Sequence, residues 1–384
     1  MVSTERWTGR LALMVAHCAG MIDLVALPIW VGTLIESYHF DAQQAGGLAT
    51  LFLCGAVASS VFFARQLSRL SARVAATLGF ALAAIAFGCV FTTSSYWEMA
   101  ALHVLAGVSA SCALTFTHGT IARSARPHRL FAVVGVALGV FAIAFLGGVP
   151  NVIASIGGRS LFLIFAGIMG FASLVCLALF PSWQSEAITG AHIDVKLRPL
   201  ECTVWPCVIG IGSLGLVQAM IFSFLERIGI DRGFGLNAMT GILVALGVIN
   251  LLPAALAALL ERRLPARTVL IVGPIVQATL AFAIAQSTSF IWFAIGAAFF
   301  AATMIFTHTF AFGLVAKLDS SGRVLAATPA MLMVGAAIGP ILGGTLVKHA
   351  GYGSLGFSAI TIDIVAVMCF IRIRKQETTL PRIA

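Results

Sequence analysis

Long runs of apolar residues, separated by short polar breaks, extend along the whole chain. A run of about 20 residues can cross a bilayer as a helix, whereas a barrel strand would alternate over about ten residues. Helices also satisfy their own backbone groups in lipid. The pattern therefore predicts an all-α membrane protein with twelve transmembrane helices, near residues 10–34, 43–66, 74–94, 97–121, 130–154, 160–181, 203–227, 237–260, 268–286, 288–315, 324–347 and 353–373.

The composition supports this prediction, because 60% of the 384 residues are hydrophobic, only 10% are charged, and the mean hydropathy is +1.04. A soluble domain has about 25% charged residues. The chain is therefore not expected to be a soluble enzyme, a disordered protein or a nucleic-acid binder. The eight Cys residues are scattered through the apolar runs without a Cys-x-x-Cys pair, which predicts small hydrophobic side chains rather than disulfides or a zinc site.

The basic residues are divided unequally between the two sides of these helices. Of the 23 Lys and Arg, 19 fall at the termini and in the even-to-odd loops. The other side holds only Arg159, Arg227, Arg232 and Lys348. By the positive-inside rule, both termini are predicted to be cytoplasmic and the number of spans even. The net charge of +9 then reflects topology and anionic-lipid contact rather than nucleic-acid binding.

The two halves of the sequence resemble each other. The stretch Arg69 to Arg73 matches Arg263 to Arg267, and Phe116-Thr117-His118 matches Phe306-Thr307-His308. Gly20-x-x-Asp23 likewise matches Gly215-x-x-Gln218. We therefore predict two pseudo-symmetric six-helix bundles, residues 1–181 and 200–384, joined by a cytoplasmic loop at 182–199.

This arrangement resembles the major facilitator superfamily (MFS). The loop signature of that family is Gly-x-x-x-Asp-Arg-x-Gly-Arg-Arg, and residues 64–73 match two of its three basic positions with Arg69 and Arg73, whereas the acidic position is Ser68. The second copy keeps an acid at Glu261. The resemblance implies a transporter rather than an enzyme, and it implies cytoplasmic gate loops whose residues are Arg69, Arg73, Glu261, Arg263 and Arg267.

A glycine-rich segment in predicted span 11 runs from Gly335 to Gly344. It resembles the Gly-x-x-x-Gly-Pro-x-x-Gly-Gly motif that proton antiporters of the superfamily carry in span five. The simpler interpretation is close helix packing through small residues, and this is the one we favour.

Polar and titratable groups at membrane depth cost free energy, so each is expected to have a structural or functional role. The resemblance places spans 1, 4, 7 and 10 around a central cavity, and the candidates for proton coupling or substrate binding lie on those four spans: His17, Asp23, His118, Gln218, Glu226 and His308. Asp23 is the first candidate for the proton carrier, because a buried carboxylic acid can load and release protons. The duplicated Phe-Thr-His setting predicts that His118 and His308 face the cavity.

Two alternatives remain open at this stage. Met14, His17, Cys18 and Met21 lie on one helix face, and together with His308 they offer the soft ligands that cuprous copper prefers, so a copper or metal-chelate transporter is possible. A non-transporting membrane receptor or scaffold of the same fold is the other alternative.

The function predicted first is secondary transport of a small organic solute or drug-like molecule across the cytoplasmic membrane by alternating access. The chain lacks a phosphate-binding Gly-x-x-x-x-Gly-Lys-[Ser/Thr] loop, so its energy source is expected to be the proton gradient. Its partners are expected to be the substrate, protons and the lipid bilayer. We expect no cofactor, no nucleic acid and a monomeric state.

Overall fold

The structure is a computed structural model that describes residues 4, 6–181, 204–261, 263–318 and 323–372. The predicted loop at 182–199 lies outside the described residues. The described part of the chain forms fifteen helices: α1 Trp7–Gly20, α2 Ile22–Tyr38, α3 Ala42–Ala64, α4 Ala72–Thr92, α5 Tyr96–Ala122, α6 Pro127–Ile156, α7 Ser160–Leu179, α8 Val204–Phe222, α9 Leu225–Asp231, α10 Leu236–Ile249, α11 Pro253–Leu260, α12 Ala266–Gln286, α13 Phe290–Leu318, α14 Arg323–Ala350 and α15 Gly353–Ile371.

These helices form twelve segments that are long and apolar enough to cross a membrane, as predicted. Three of the spans contain a break. Span 1 consists of α1 and α2 with a break at Met21, span 7 consists of α8 and α9 with a break at Ser223 and Phe224, and span 8 is interrupted before Pro253. Pro253 explains the last break, because its ring removes a backbone donor and occupies the first position of α11. The other two breaks contain no proline.

The spans pack mainly within their own half of the sequence. Span 4 packs on spans 2 and 3 in the first half, while span 7 packs on span 11 and span 9 on span 12 in the second half. Trp30 centres the first core, with the rings of Phe52 and Phe165 at centroid distances of 5.1 and 5.0 Å. The two halves meet where span 2 contacts span 11 and where span 5 contacts span 8.

Small residues set the closest approaches between helices. A Cβ on Gly335 would lie 1.9 Å from the carbonyl oxygen of Gly212, and one on Gly339 would lie 2.6 Å from the backbone nitrogen of Met220. The glycine-rich segment of span 11 therefore packs directly on the backbone of span 7, which confirms the close-packing interpretation.

Gly107 offers a test of this packing within the first half. A Cβ there would lie 2.0 Å from the carbonyl oxygen of Phe52, so spans 2 and 4 would have to separate. We expect Gly107→Ala to destabilise the purified protein by about 1–3 kcal/mol, the usual cost of overpacking. Thermal unfolding measures the effect. Gly88→Ala is the matched control, since nothing lies within 4 Å of a Cβ at Gly88. Equal melting temperatures for the two variants would contradict the prediction.

Candidate functional site

The two halves close on each other at one end of the bundle. We call this the distal end, because an even number of spans places it opposite both described chain ends, which lie at the proximal end. Contacts between spans 5 and 8 run from Gly139 against Leu251 to Gly147 against Val244. One turn closer to the proximal end, Gly135 has nothing within 4 Å of its Cβ position. The contact between the two halves along these spans therefore lies in their middle and distal parts.

An ionic network joins the halves at the distal end. Arg227 at the end of span 7 donates to Glu36 of span 1 over 3.3 Å and forms an ion pair of 2.9 Å with Asp231. The Tyr352 hydroxyl donates to the other oxygen of Asp231 over 2.5 Å. Burial and the hydrogen bond to Asp231 raise the pKa of the Tyr352 phenol, so it stays a neutral donor. Arg227 therefore joins Glu36 of the first half to Asp231 of the second half, which Tyr352 also contacts.

A second ion pair crosses between the halves nearby. Lys348 Nζ lies 2.9 Å from Asp41 Oδ2, and Gln43 donates to Thr345 over 3.2 Å. Partial burial disfavours the Asp41 carboxylate, but hydrogen bonds from the Gln44 backbone N–H and from Lys348 outweigh this, and the pKa of Asp41 falls below its ordinary value. Asp41 also caps α3, so this contact is tied to the start of span 2.

The lowered pKa of Asp41 makes the contribution of this pair depend on pH. Its stabilisation is complete above the ordinary pKa of an aspartate and is lost as the pH falls through the lowered value, because protonation removes the charge. Both partners are more than one-third exposed, so the pair is worth about 0.2–1 kcal/mol. We expect Lys348→Gln to weaken distal closure slightly at neutral pH and to reduce this acid dependence, as measured by the distance between spin labels at the distal end. An unchanged acid dependence would assign it to another group.

Two predicted site residues meet directly in the first half. His17 Nδ1 lies 3.0 Å from His118 Nε2, which joins span 1 to span 4, and the ring of Phe131 packs against His118 at 5.7 Å. One imidazole must donate and the other must accept, so at least one of the two is neutral while the bond exists. Protonation of both rings would break the bond. The pair can therefore change its hydrogen bonding with protonation.

Asp23 lies immediately after the break in span 1. Met21 separates α1 from α2, and Asp23 occupies the second position of α2, near the middle of the span. The positive end of the α2 dipole favours a negative charge there. Asp23 keeps some accessible surface. A carboxylic acid at this depth would be costly if it faced lipid, so we expect the Asp23 carboxyl group to face the interior of the protein.

Glu226 lies at the junction of the halves. It occupies the second position of α9, close to the distal end of span 7, and its Oε2 would lie 2.5 Å from a Cβ on Gly32 of span 1. The absence of a side chain at Gly32 thus makes room for the carboxyl group. Gln218, which the internal repeat pairs with Asp23, is buried near the middle of span 7, and its Oε1 has no hydrogen-bond partner.

His308 bonds within its own helix, with Nδ1 3.0 Å from Met304 O and 3.1 Å from Met304 Sδ. The structure thus joins His118 to His17 of span 1. His308, the counterpart of His118 in the repeat, instead contacts Met304 of its own span. The residues that the structure describes contain no group of three or more His, Cys, Asp or Glu side chains close enough to hold a metal ion. The soft-metal alternative, built on Met14, His17, Cys18, Met21 and His308, gains no support from the contacts either, because His17 bonds to His118 and His308 bonds within its own helix.

The predicted gate loops contain a symmetric pair of anchors. Arg73 donates from Nε to Leu177 O over 2.9 Å, and Arg267 donates from Nη2 to Ile371 O over 3.0 Å. Each arginine thereby satisfies carbonyls at the end of the sixth span of its own half, where a cation also suits the helix dipole. Arg69, Glu261 and Arg263 are exposed at the proximal end.

Sequence reasoning missed the residues that close the distal end: Glu36, Asp41, Lys348 and Tyr352. A signal was present, because charged residues are rare in this chain and the few on the sparsely basic side lie at span ends. What the sequence does not show is which acid meets which cation across the two halves.

Three solved structures share the fold over nearly their whole length. A variant of the nucleoside transporter NupG covers 95% of this chain and 100% of its own, with a TM-score of 0.78 and 12% identity. A D-xylose-proton symporter covers 96% and 97%, with a TM-score of 0.77 and 15% identity. A bacterial homolog of the human lysosomal transporter Spinster, in an inward-facing and occupied conformation, covers 97% and 96%, with a TM-score of 0.74 and 12% identity.

No curated protein sequence matches the chain significantly. The family model described as Major Facilitator Superfamily matches residues 12–328, which is most of the chain. The twelve spans, their packing in two halves and this match agree with one another. The chain is therefore a multi-pass membrane protein and a transporter rather than an enzyme, and it belongs to the major facilitator superfamily.

Proposed function

We propose that this protein is a proton-coupled secondary transporter of a small, uncharged or cationic organic solute. The observation that carries the proposal is the position of Asp23: a partly buried carboxylic acid in the middle of span 1, at a helix break. Discontinuous helices of this kind hold substrate and coupling-ion sites near the bilayer midplane in secondary transporters. The His17–His118 pair supplies a second group whose hydrogen bonding changes with protonation. His17 lies six residues before Asp23 on span 1.

The substrate class follows from the charges of the inner helices. Spans 1, 4, 7 and 10 carry acids, imidazoles and amides in their middle parts, whereas their arginines lie near the span ends. A multiply anionic solute would find few cations there. The similar structures include a nucleoside transporter and a D-xylose-proton symporter, and nucleosides and D-xylose are neutral polar solutes.

In this proposal, the described conformation is one end state of alternating access. The distal end is closed by two ion pairs, Glu36–Arg227 and Asp41–Lys348, and by the contact of span 2 with span 11. The presence of 19 of the 23 Lys and Arg on the proximal side supports a cytoplasmic proximal end, in the cytoplasmic membrane, with both chain termini inside. In that orientation the state is inward-facing.

The experiment is a flux assay with the purified protein in proteoliposomes. We expect uptake of uridine, D-xylose or the lipophilic cation tetraphenylphosphonium to rise under an imposed pH gradient and to fall when a protonophore collapses that gradient. Flux of one of these solutes that ignores the protonophore would refute proton coupling. Absence of flux for all three, together with the absence of substrate-dependent proton movement, would favour the scaffold alternative.

A carboxyl-terminal reporter tests the orientation separately. We expect a fusion that is active only outside the cytoplasm to be silent, because the end of span 12 lies at the proximal end. An active reporter would invert the topology and turn the state into an outward-facing one.

A further inference from the structure

Five side chains in the described part of the second half have a buried oxygen without a hydrogen-bond partner: Thr240 and Asn250 lie on span 8, and the other three lie on spans 7, 9 and 12. Asp363 of span 12 is 1% exposed and has two such oxygens, Gln277 of span 9 is 0% exposed and has one, and Gln218 of span 7 is 6% exposed and has one. Buried polar atoms are almost always paired, because each unpaired one is costly. The four unpaired oxygens on spans 7, 9 and 12 therefore need an explanation.

Contacts at both ends of the antiparallel pair of spans 9 and 12 place Asp363 level with Gln277. At the distal end Gln286 donates to Gly353 O over 3.0 Å, and at the proximal end Arg267 donates to Ile371 O over 3.0 Å. At a rise of about 1.5 Å per residue on both helices, the residue opposite Asp363 is one next to Gln277. The two side chains thus lie at the same depth, near the middle of the span.

The helix face of span 12 that carries Asp363 points between spans 7 and 9. Gly356 and Phe370 lie seven residues before and after Asp363, which puts all three on one face. Gly356 packs against Phe282 of span 9, and the Phe370 ring packs against Gly210 of span 7. Asp363 therefore faces the junction of those two spans.

The same junction contains Gln277 and Gln218. Gln277 Nε2 donates to Leu214 O of span 7 over 3.1 Å, which leaves its Oε1 unused. Gln218 lies one turn after Leu214 on span 7, and its Oε1 is also unused. Three spans thus bring a carboxyl group and two amide oxygens to one buried region.

The charged groups on the neighbouring helices lie elsewhere. Among the described side chains of spans 7, 9, 11 and 12, the Lys and Arg residues are found at the span ends: Arg267 and Arg372 proximally, and Arg227 and Lys348 distally, where the titratable groups Glu226, Asp231 and His349 also lie. The thiols of Cys207 and Cys369 lie about two turns from Asp363 toward the proximal end. An ionised Asp363 would thus be a buried carboxylate facing amide oxygens, with no described cation at its level.

We propose that Asp363, Gln277 and Gln218 form a proton-binding site in the second half of the protein, separate from Asp23. The bound proton turns Asp363 into a donor, and its O–H satisfies an oxygen of Gln277 or Gln218. Release of the proton leaves the carboxylate opposite those oxygens, so the amides must rotate or span 7 must move. Because span 7 also contacts span 1 of the other half, occupancy of this site is linked to the packing of the two halves.

Infrared difference spectroscopy of the reconstituted protein, titrated with acid and base without substrate, tests this site. We expect a protonated carboxyl C=O band in the wild type that disappears in Asp363→Asn and persists in Asp23→Asn. In Gln277→Leu the band should remain but shift to higher frequency, since one hydrogen-bond acceptor is lost. This second variant keeps the test valid should Asp363→Asn fail to fold.

Two outcomes would overturn the proposal. A wild-type spectrum whose carboxyl band is untouched by both Asp363→Asn and Gln277→Leu places the proton elsewhere. A band that appears only when Na⁺ is removed identifies a metal cation as the ligand in place of the proton. The infrared measurement uses no substrate, and it examines Asp23→Asn as a separate variant. A negative result for Asp363 therefore does not affect the proposed coupling role of Asp23, which the flux assay tests.

Discussion

Replacing Gly46 with alanine should prevent the distal end from closing while leaving each half folded. Gly46 of span 2 lies against the backbone of span 11, and an added Cβ would be 2.1 Å from the carbonyl oxygen of Pro340. The reciprocal contact brings Gly344 of span 11 to 2.2 Å from the carbonyl oxygen of Ala42. Backbone atoms cannot rotate away as a side chain can, so the two helices must separate.

The size of this effect follows from the cost of overpacking, about 1–3 kcal/mol. The cost falls only on the state in which spans 2 and 11 touch, so the population of that state should drop by about 5- to 150-fold. Transport should fall with it, since the cycle needs both states. Melting temperature should change less than in Gly107→Ala, because Gly107 packs inside one half.

Spin labels at Ser155 and Thr288, exposed distal positions in the two halves, measure the closure. We expect a longer distance to dominate in Gly46→Ala, whereas Gly88→Ala, which adds its methyl group to open space, should match the wild type. A wild-type distance distribution in Gly46→Ala would show that the contact between spans 2 and 11 does not control distal closure.

Replacing Asp23 with asparagine should abolish proton-driven accumulation of substrate but preserve exchange. The amide keeps the size and hydrogen-bonding capacity of the acid but cannot titrate. Gln218 is buried at a comparable depth in span 7, so the corresponding position of the second half already contains an amide. We expect accumulation to fall to the level of simple equilibration, with counterflow exchange within about tenfold of the wild type, a loss of 1.4 kcal/mol at most.

The control for Asp23→Asn is Glu98→Gln, which neutralises an exposed acid at the distal end of span 4. It should accumulate substrate like the wild type. Full proton-driven accumulation by Asp23→Asn would make Asp23 structural and would turn attention to Glu226, whose carboxyl group lies against Gly32 between the halves.

The amino-acid sequence by itself determined the spans, and the reason is the cost of unsatisfied backbone in lipid. Nearly every apolar run of sufficient length had to become a helix, so the twelve spans agree with prediction to within a few residues at most ends. The glycine-rich segment of span 11 was also interpretable, because only small residues permit the backbone contact at Gly335. The placement of Asp23 near midspan followed from counting along one helix.

Only the tertiary structure decided which polar groups meet. His118 bonds to His17 of its own half, although the repeat made His308 its symmetric counterpart, because pseudo-symmetry relates positions and not contacts. Likewise, Arg73 and Arg267 bind carbonyls in their own halves. Such contacts join residues separated by about a hundred positions, and their geometry depends on helix crossing and rotation. Local periodicity constrains neither of these, and so the pairing emerges only when the helices are packed.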